Sequence, residues 1–159
     1  MQGKTVSKSA TVLAEVMMPL YANHYGYVHG GTILKLIDEA AFVAATRHSQ
    51  KNVVVASMDH ITFKNHVHVG DILTLFANLC YVGKSSMEVE VKVETERLKT
   101  GEKLFVGSGY LTMVALDDNG RPIEVPRLIL RTKEEKTKSA NAIKRREVRV
   151  KYFKEKMLK

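Results

Sequence analysis

The chain has 159 residues, of which 45% are apolar and 26% are charged, and its formal net charge at pH 7 is +8. These values are typical of one globular domain with a short appended segment, and they exclude a fibrous or intrinsically disordered protein. No stretch approaches the roughly 18 apolar residues of a membrane span, and no apolar run follows the N-terminus as in a secretory signal, so we expect a cytoplasmic protein without a membrane partner.

The positive charge is concentrated at the C-terminal end. Residues 131–159 contain 12 Lys or Arg and 4 Glu, whereas residues 1–130 contain 13 charges of each sign. Because the larger part is neutral, it gives no electrostatic reason to expect a nucleic-acid partner. We therefore divide the chain into a domain of residues 1–130 and a basic tail of residues 131–159.

A short strand and one long helix are predicted in the first third of the chain. Residues 11–17 alternate weakly and are rich in β-branched side chains, which favours a strand that Pro19 ends. His29, Gly30 and Gly31 then open a run rich in Leu, Ile and Ala that continues to about His48 with apolar residues at helical spacing. This run predicts a helix of nearly five turns.

Four strands with an alternating pattern follow the helix, at residues 53–63, 71–82, 86–97 and 103–116. The third alternates most regularly, with Val and Met on one face and mainly Glu on the other, so we expect one face to cover the helix and the other to meet water. Short connections containing Gly, Asn and Asp favour an antiparallel meander. The predicted fold class is α+β, with an antiparallel sheet wrapped around one central helix.

The tail is predicted to begin as a solvated linker and to become a basic amphipathic helix from Asn141. Its apolar positions recur at roughly seven-residue intervals, at Ile143, Val150, Phe153 and Met157. The interpretation we favour is a terminal helix that packs on the body of the protein or on another subunit. A calmodulin-like or membrane-surface role is the alternative.

Asp38 is the first candidate for a chemical role. On a helical wheel it falls inside the apolar sector, where desolvation raises the pKa of a carboxylate toward the range of a general base. The alternative is an ordinary aspartate at the helix edge that reaches solvent. The position on the wheel does not decide between the two.

Gly30 and Gly31 are the second candidate, since they stand where the predicted helix begins. Their unpaired backbone N–H groups would lie at the positive end of the helix dipole and could stabilise the developing charge of a thioester oxygen. Asn23, in the loop upstream, could hold an attacking water or orient the thioester. Taken singly, these residues could equally be a helix cap and a turn residue. Together with Asp38 they form a candidate site for acyl transfer.

The same segment resembles the signature of hotdog-fold acyl-CoA thioesterases. The residues that carry the resemblance are Met18-Pro19, Ala22-Asn23, Gly26, His29-Gly30-Gly31, Leu34, Asp38-Glu39-Ala40-Ala41 and Ala45-Thr46-Arg47-His48. The branch that it most resembles contains small bacterial acyl-CoA hydrolases and the two-domain cytosolic hydrolases of animals. The resemblance extends over roughly residues 8–130.

The resemblance implies an acyl-CoA substrate and roles for two residues. Asn23 would position water or substrate, and Asp38 would act as general base or nucleophile. It also implies that different subunits of a homodimer contribute these two residues, that the dimer joins its sheets edge to edge, and that three dimers often form a hexamer. No metal is implied, and no cofactor beyond the coenzyme A of the substrate.

The resemblance assigns the coenzyme A portion to the turn Gly83-Lys84-Ser85-Ser86. Lys84 could neutralise a phosphate, and the turn offers N–H donors. A P-loop is excluded because Asn78 occupies the first glycine position and because the turn joins two strands.

Other features of the sequence suggest alternative interpretations. His60, Asn65, His66 and His68 suggest a metal site, but no third ligand has a suitable spacing. We expect His24 and His29 to line the mouth of the site or cap the helix. A hotdog hydratase or dehydratase would need a His-led motif that the loop before the helix lacks. A non-catalytic acyl-CoA sensor, with its tail on DNA or a protein, would not need both Asn23 and Asp38.

Overall fold

The computed structural model describes residues 1–157 of the chain; Leu158, Lys159 and the side chain of Met157, which belong to the predicted basic helix, lie outside the described part. Two 3₁₀ turns, Val6–Lys8 and Pro19–Tyr21, accompany the regular elements. The elements are β1 (Lys4–Thr5), β2 (Thr11–Val16), α1 (Gly30–Ser49), β3 (Asn52–Phe63), β4 (Ile72–Val82), β5 (Ser86–Arg97), β6 (Glu102–Leu116), β7 (Leu128–Ile129) and α2 (Lys133–Met157).

Five strands form one antiparallel sheet in the order β2-β4-β5-β6-β3. All five, together with α1, agree with the predicted elements to within one residue at each end. The two-residue strands β1 and β7 pair in parallel and were not predicted. The α+β fold class is therefore confirmed, with β3 at one open edge of the sheet.

Helix α1 lies against the middle of the sheet and contacts each of its five strands. Ile37, Ala40, Ala41 and Ala44 are fully buried on the helix side of this contact. The small alanine side chains let the helix approach the sheet closely, so that the alternating Val and Met of β5 pack directly on it. The predicted wrapping of the sheet around a central helix is thus confirmed.

Helix α2 begins at Lys133, eight residues before the position predicted for it, so the prediction of a solvated linker at residues 132–140 was wrong. A capping box starts the helix. The Glu135 N–H donates to Thr132 Oγ1 at 3.1 Å, and the Thr132 N–H donates to Glu135 Oε2 at 3.1 Å. This arrangement satisfies backbone N–H donors at the first turn of α2. The segment has few apolar residues, so its sequence gives little indication of a helix.

The outer face of the sheet is covered by α2, and the prediction that the charged face of β5 meets water was wrong for two of its residues. Glu88 and Glu90 are only 2% and 6% exposed. Lys138 Nζ lies 2.9 Å from a Glu90 carboxylate oxygen, and Arg145 Nη2 lies 2.6 Å from Glu88 Oε1. The Arg145 guanidinium also stacks 3.7 Å from the ring centre of Tyr110. Cations of the tail thus neutralise carboxylates of the sheet.

The described helices include none that is both long and apolar enough to cross a membrane. Helix α2 has the length, but it is dominated by Lys, Arg and Glu.

Candidate active site

Asn23 lies in the loop between β2 and α1, and its side chain holds that loop together. Its Oδ1 accepts hydrogen bonds from the N–H groups of Tyr25 at 2.9 Å and Tyr27 at 3.2 Å. Its own N–H donates to the Tyr27 carbonyl at 2.7 Å. With the oxygen committed to the loop, the Nδ2 amide is the part of this half-buried side chain that is left for a ligand.

Tyr27 fastens the loop to the segment that precedes β4. Its ring stacks on His66 at 4.5 Å and meets the edge of His68 at 5.2 Å between ring centres. Asp71, which is buried, accepts hydrogen bonds from the His68 N–H at 3.0 Å and from the Thr95 hydroxyl at 3.1 Å. The loop that carries Asn23 is therefore anchored, through aromatic packing, to a buried carboxylate.

The structure gives other surroundings to the four residues that suggested a metal site in the sequence. His66 and His68 hold the Tyr27 ring, and Asn65 Nδ2 donates to the Phe105 carbonyl at 2.8 Å. His60 lies in an irregular part of β3, with a φ of 46°. Within residues 1–157, no group of three His, Cys, Asp or Glu is arranged to hold a metal ion.

His29 caps the start of α1, which is one of the two roles that the sequence suggested for it. The Gly31 N–H donates to His29 Nδ1 at 2.9 Å, and the Thr32 N–H donates to the His29 carbonyl at 2.9 Å. One of the two glycine donors predicted for the oxyanion is thus occupied by the neighbouring side chain. Among the hydrogen bonds of the described residues, the Gly30 N–H has no acceptor, so it remains available at the positive end of the helix.

Asp38 lies about two turns, or roughly 12 Å, further along α1. It is half-buried on the helix surface between the fully buried Ala45 and the exposed Phe42, which are its neighbours on the helical wheel. Its Oδ1 is buried and finds no hydrogen-bond partner among the described residues. Desolvation raises the pKa of Asp38 above its ordinary value, and the negative charge of Glu39 raises the pKa further. Such a carboxylate is prepared to accept a proton.

The turn Gly83-Lys84-Ser85-Ser86 lies at the other end of the sheet. The Gly83 N–H donates to the Ser86 carbonyl at 2.8 Å, which uses one of the expected anion donors, while the Lys84 side chain is exposed. The Asn23 loop is anchored beside Thr95, nine residues along β5 from Ser86, which is roughly 30 Å of strand. Within one chain, this turn is therefore far from Asn23.

The cluster of Tyr27, His68, Asp71 and Thr95 was missed as part of the site. The alternation of His66 and His68 was noticed in the sequence, but it was interpreted as possible metal ligation. The signal that could have found the cluster is the aromatic residue in the loop combined with two imidazoles on one face of an extended segment.

Several known proteins similar to this chain are thioesterases or acyl-CoA hydrolases by name. The family model described as "Thioesterase superfamily" matches residues 25–102. A Bacillus subtilis protein named "uncharacterized acyl-CoA thioester hydrolase YkhA" is 40% identical over 80% of this chain and 74% of its own. A crystal structure of an apo-hexameric acyl-CoA thioesterase superposes with a TM-score of 0.91 and 39% identity, covering 96% of this chain and 97% of that one.

A third similar protein is the Staphylococcus aureus acyl-CoA hydrolase, solved with butyryl coenzyme A, coenzyme A and coenzyme A disulfide. It has a TM-score of 0.87 and 34% identity, covering 97% of this chain and 96% of that one. Further structures of that hydrolase have an aspartate or an asparagine replaced by alanine, and these two residues are 15 positions apart, as Asn23 and Asp38 are here. The resemblance noted in the sequence is confirmed: this chain belongs to the thioesterase superfamily.

Proposed function

We propose that the chain hydrolyses acyl-CoA thioesters to a carboxylic acid and coenzyme A. The observation that carries the proposal is the half-buried Asp38 carboxylate, which has an unpartnered oxygen and a raised pKa and lies on the helix whose start presents the Gly30 N–H. The membership of the thioesterase superfamily and the names of its similar proteins support the same chemistry.

In the proposed reaction, the thioester oxygen accepts a hydrogen bond from the Gly30 N–H. The Gly31 N–H would join it if the His29 ring turns away from its capping position. The amide of Asn23 holds the attacking water or the thioester. Asp38 takes a proton from that water, the water oxygen bonds to the carbonyl carbon, the C–S bond breaks, and the coenzyme A thiolate leaves and is protonated. Direct attack by Asp38, followed by hydrolysis of the anhydride, is the nucleophilic variant.

The proposed site is shared by two subunits. Strand β3 is an open edge of the sheet, so its outward N–H and C=O groups have no strand partner in one chain. The side chains of Val54, Val55, Met58 and Phe63 on it are exposed. We propose that two β3 strands pair edge to edge and that each site takes Asn23 and the Gly30 N–H from one chain and Asp38 from the other, because Gly30 and Asp38 of one chain lie roughly 12 Å apart. We further propose that three such dimers form a hexamer, since a similar thioesterase is hexameric.

The assembly also gives a role to the distant turn. Because Gly83-Lys84-Ser85-Ser86 is far from the Asn23 loop of its own chain, any contact it makes with coenzyme A is in a site that takes Asn23 from another subunit. Lys84 would then neutralise a phosphate of the nucleotide. In this proposal residues 1–130 supply the reacting groups, and the tail of residues 131–159 supplies none of them.

The first test mixes the purified chain with acyl-CoAs from acetyl to palmitoyl and follows free thiol. Release above background is expected for at least one chain length, and the Asp38→Asn variant should release about 10³-fold less. The absence of thiol release with every acyl-CoA would contradict the proposal, as would an Asp38→Asn variant as active as the parent. Binding without thiol release would instead support a sensor.

The second test asks whether the site is shared. Asn23→Ala and Asp38→Asn chains are inactive alone, but each heterodimer contains one site with both residues intact. With random exchange, half of the dimers are heterodimers and one of their two sites works, so about a quarter of the parent activity should return. Proven exchange without recovery would contradict the shared site and leave hydrolysis itself intact.

A further inference from the structure

Helix α2 crosses the outer face of the sheet toward its open edge. Its cations mark the path: Lys138 pairs with Glu90 of β5, Arg145 pairs with Glu88 of β5, and Arg149 pairs with Asp59 of β3. After Arg149 the helix is no longer covered, and residues 151–156 are all exposed. We call residues 148–157 the α2 end.

The α2 end lies beside the open edge of the sheet. Arg149 bridges two strands, since its guanidinium pairs with Asp59 of β3 and also lies 3.6 Å from Glu88 of β5. The next turn of the helix, with Tyr152 and Phe153, faces the edge residues 57–60 of β3 across one hollow. The α2 end therefore lies at the edge strand, where another strand could join the sheet.

The α2 end is apolar on the side that faces the edge strand β3. Val148, Tyr152 and Phe153 are 71%, 52% and 51% exposed. With Met58 and neighbouring residues of β3 they line a groove of about 510 Å³ between the helix and the sheet edge. Two aromatic rings and a valine exposed beside a sheet edge are typical of a protein contact, whereas a helix bound to a membrane would turn its apolar side away from the body.

We infer that the α2 end packs on the outer face of a second copy of this chain, across the seam formed when two β3 strands pair. The inference rests on the edge-to-edge dimer of the proposed function, because pairing at β3 places a second sheet next to the α2 end. A two-fold axis makes the contact reciprocal, so the same segment of the second copy enters the groove beside Met58. The basic tail is then a strap that holds together the two halves of each shared site.

The test compares two variants of the full chain. In the first, Tyr152→Ser and Phe153→Ser remove the aromatic rings from the groove. In the control, Val150→Ser changes an exposed apolar residue of the same helix that lines a separate hollow with Arg146, Glu147 and Lys154. Sedimentation across a range of concentrations measures the dimer, and circular dichroism with thermal melting checks that each variant is folded.

The double variant should remain folded, and its dimer dissociation constant should rise at least about tenfold, since buried aromatic anchors dominate such contacts. Its hydrolysis per milligram should fall on dilution and return at high concentration, while Val150→Ser should behave as the parent does. An unchanged dimer constant in the double variant would overturn the inference, as would hexamers that separate into intact dimers. Loss of binding to anionic vesicles with an unchanged dimer would overturn it in favour of a membrane surface.

Different results would contradict the two proposals, acyl-CoA hydrolysis and the packing of the α2 end on a second copy. If the parent hydrolyses acyl-CoA and the double variant dimerises normally, hydrolysis stands and the strap does not. If the parent releases no thiol from any acyl-CoA while the double variant dissociates, the strap stands and the proposed reaction does not. A parent chain that is monomeric at every concentration overturns the strap, whatever its activity.

Discussion

Two carboxylates, Asp38 and Glu88, are withdrawn from water on opposite sides of this molecule. Asp38 is on α1, which packs on the inner face of the sheet, and Glu88 is on β5 with its side chain toward α2. Asp38 has one buried oxygen without a partner and no cation within salt-bridge distance among the described residues. Glu88 is 2% exposed, and its Oε1 lies 2.6 Å from the guanidinium of Arg145. Its Oε2 also has no hydrogen bond, but it lies 3.6 Å from the guanidinium of Arg149, so the two carboxylates differ in their nearby cations.

The difference indicates two roles: Asp38 is suited to chemistry, and Glu88 is suited to the packing of α2 on the sheet. A buried carboxylate between two guanidinium groups is fixed in place by charge-assisted contacts, so it serves to dock α2 on the sheet. A carboxylate that is desolvated without a cation has a raised pKa and is free to exchange a proton. Although the chain is rich in Lys and Arg, two cations lie beside Glu88, whereas Asp38 has none within salt-bridge distance among the described residues.

The largest expected effect is that of Asp38→Asn. The variant should lose about 10³-fold in kcat/KM for acyl-CoA hydrolysis, because it removes the group that accepts the proton. The raised pKa of Asp38 means that the protonated acid favours the fold and that this stabilisation is lost as pH rises through the raised pKa. The neutral amide should therefore melt at the same temperature as the parent or higher at pH 7.

The matched control for Asp38→Asn is Glu39→Gln, which changes a neighbouring exposed carboxylate that pairs with Lys35. It should keep most of the activity at neutral pH. Thiol release and thermal unfolding of the three proteins at one concentration check both expectations. An Asp38→Asn variant that melts well below the parent would show that the carboxylate is structural, and would weaken its contrast with Glu88.

The next effect is a loss of stability without a direct loss of chemistry. Glu88→Gln leaves Arg145 and Arg149 beside a neutral amide, and breaking a buried ion pair in this way costs about 3 kcal/mol. The melting temperature should fall by about 6 to 12 °C at fixed protein concentration. Glu96→Gln removes a surface pair with Lys103 and should cost less than about 1 kcal/mol. Equal melting temperatures for the two variants would contradict the docking role of Glu88.

The elements of the domain could be predicted because their signals are local. The helical spacing of Ile33, Ile37, Ala40 and Ala44 and the alternation of β5 are properties of a few consecutive residues, and the position of Asp38 in the apolar sector follows from them. The start of α2 also had a local signal, the pair Thr132 and Glu135. It was passed over because the surrounding residues are charged and show no apolar stripe.

What could not be predicted depends on contacts between distant residues or on a single side-chain conformation. Glu88 is buried by Arg145, which is 57 positions away, so the pattern of β5 alone indicated water. The Gly31 N–H is occupied because the His29 ring turns back on it, which spacing does not reveal. The clamp on the Asn23 loop joins Tyr27 to His66 and His68, about 40 positions away.

That clamp gives a third, smaller prediction. Tyr27→Ala should lower kcat about tenfold because the Asn23 loop loses its hold between two imidazoles, and small displacements of a positioning group have effects of this order. Tyr27→Phe keeps the ring and should retain nearly full kcat. Steady-state kinetics of both variants, with Asn23→Ala as the limit, provide the measurement. If Tyr27→Ala kept the parent kcat, Asn23 would not need the clamp.

The smallest effect concerns the pH dependence of hydrolysis. Activity should rise with pH as Asp38 loses its proton, and because its pKa is raised, this rise should lie above the ordinary aspartate range. Glu39 is the second cause of the raised pKa, so Glu39→Gln lowers the pKa of Asp38 and moves the rise to lower pH. Lys35→Gln, which changes only the exposed partner of Glu39, should leave the rise in place. A rise in kcat/KM that stays fixed in Glu39→Gln, or moves to higher pH, would mean that another group limits the reaction and that Asp38 is not the base.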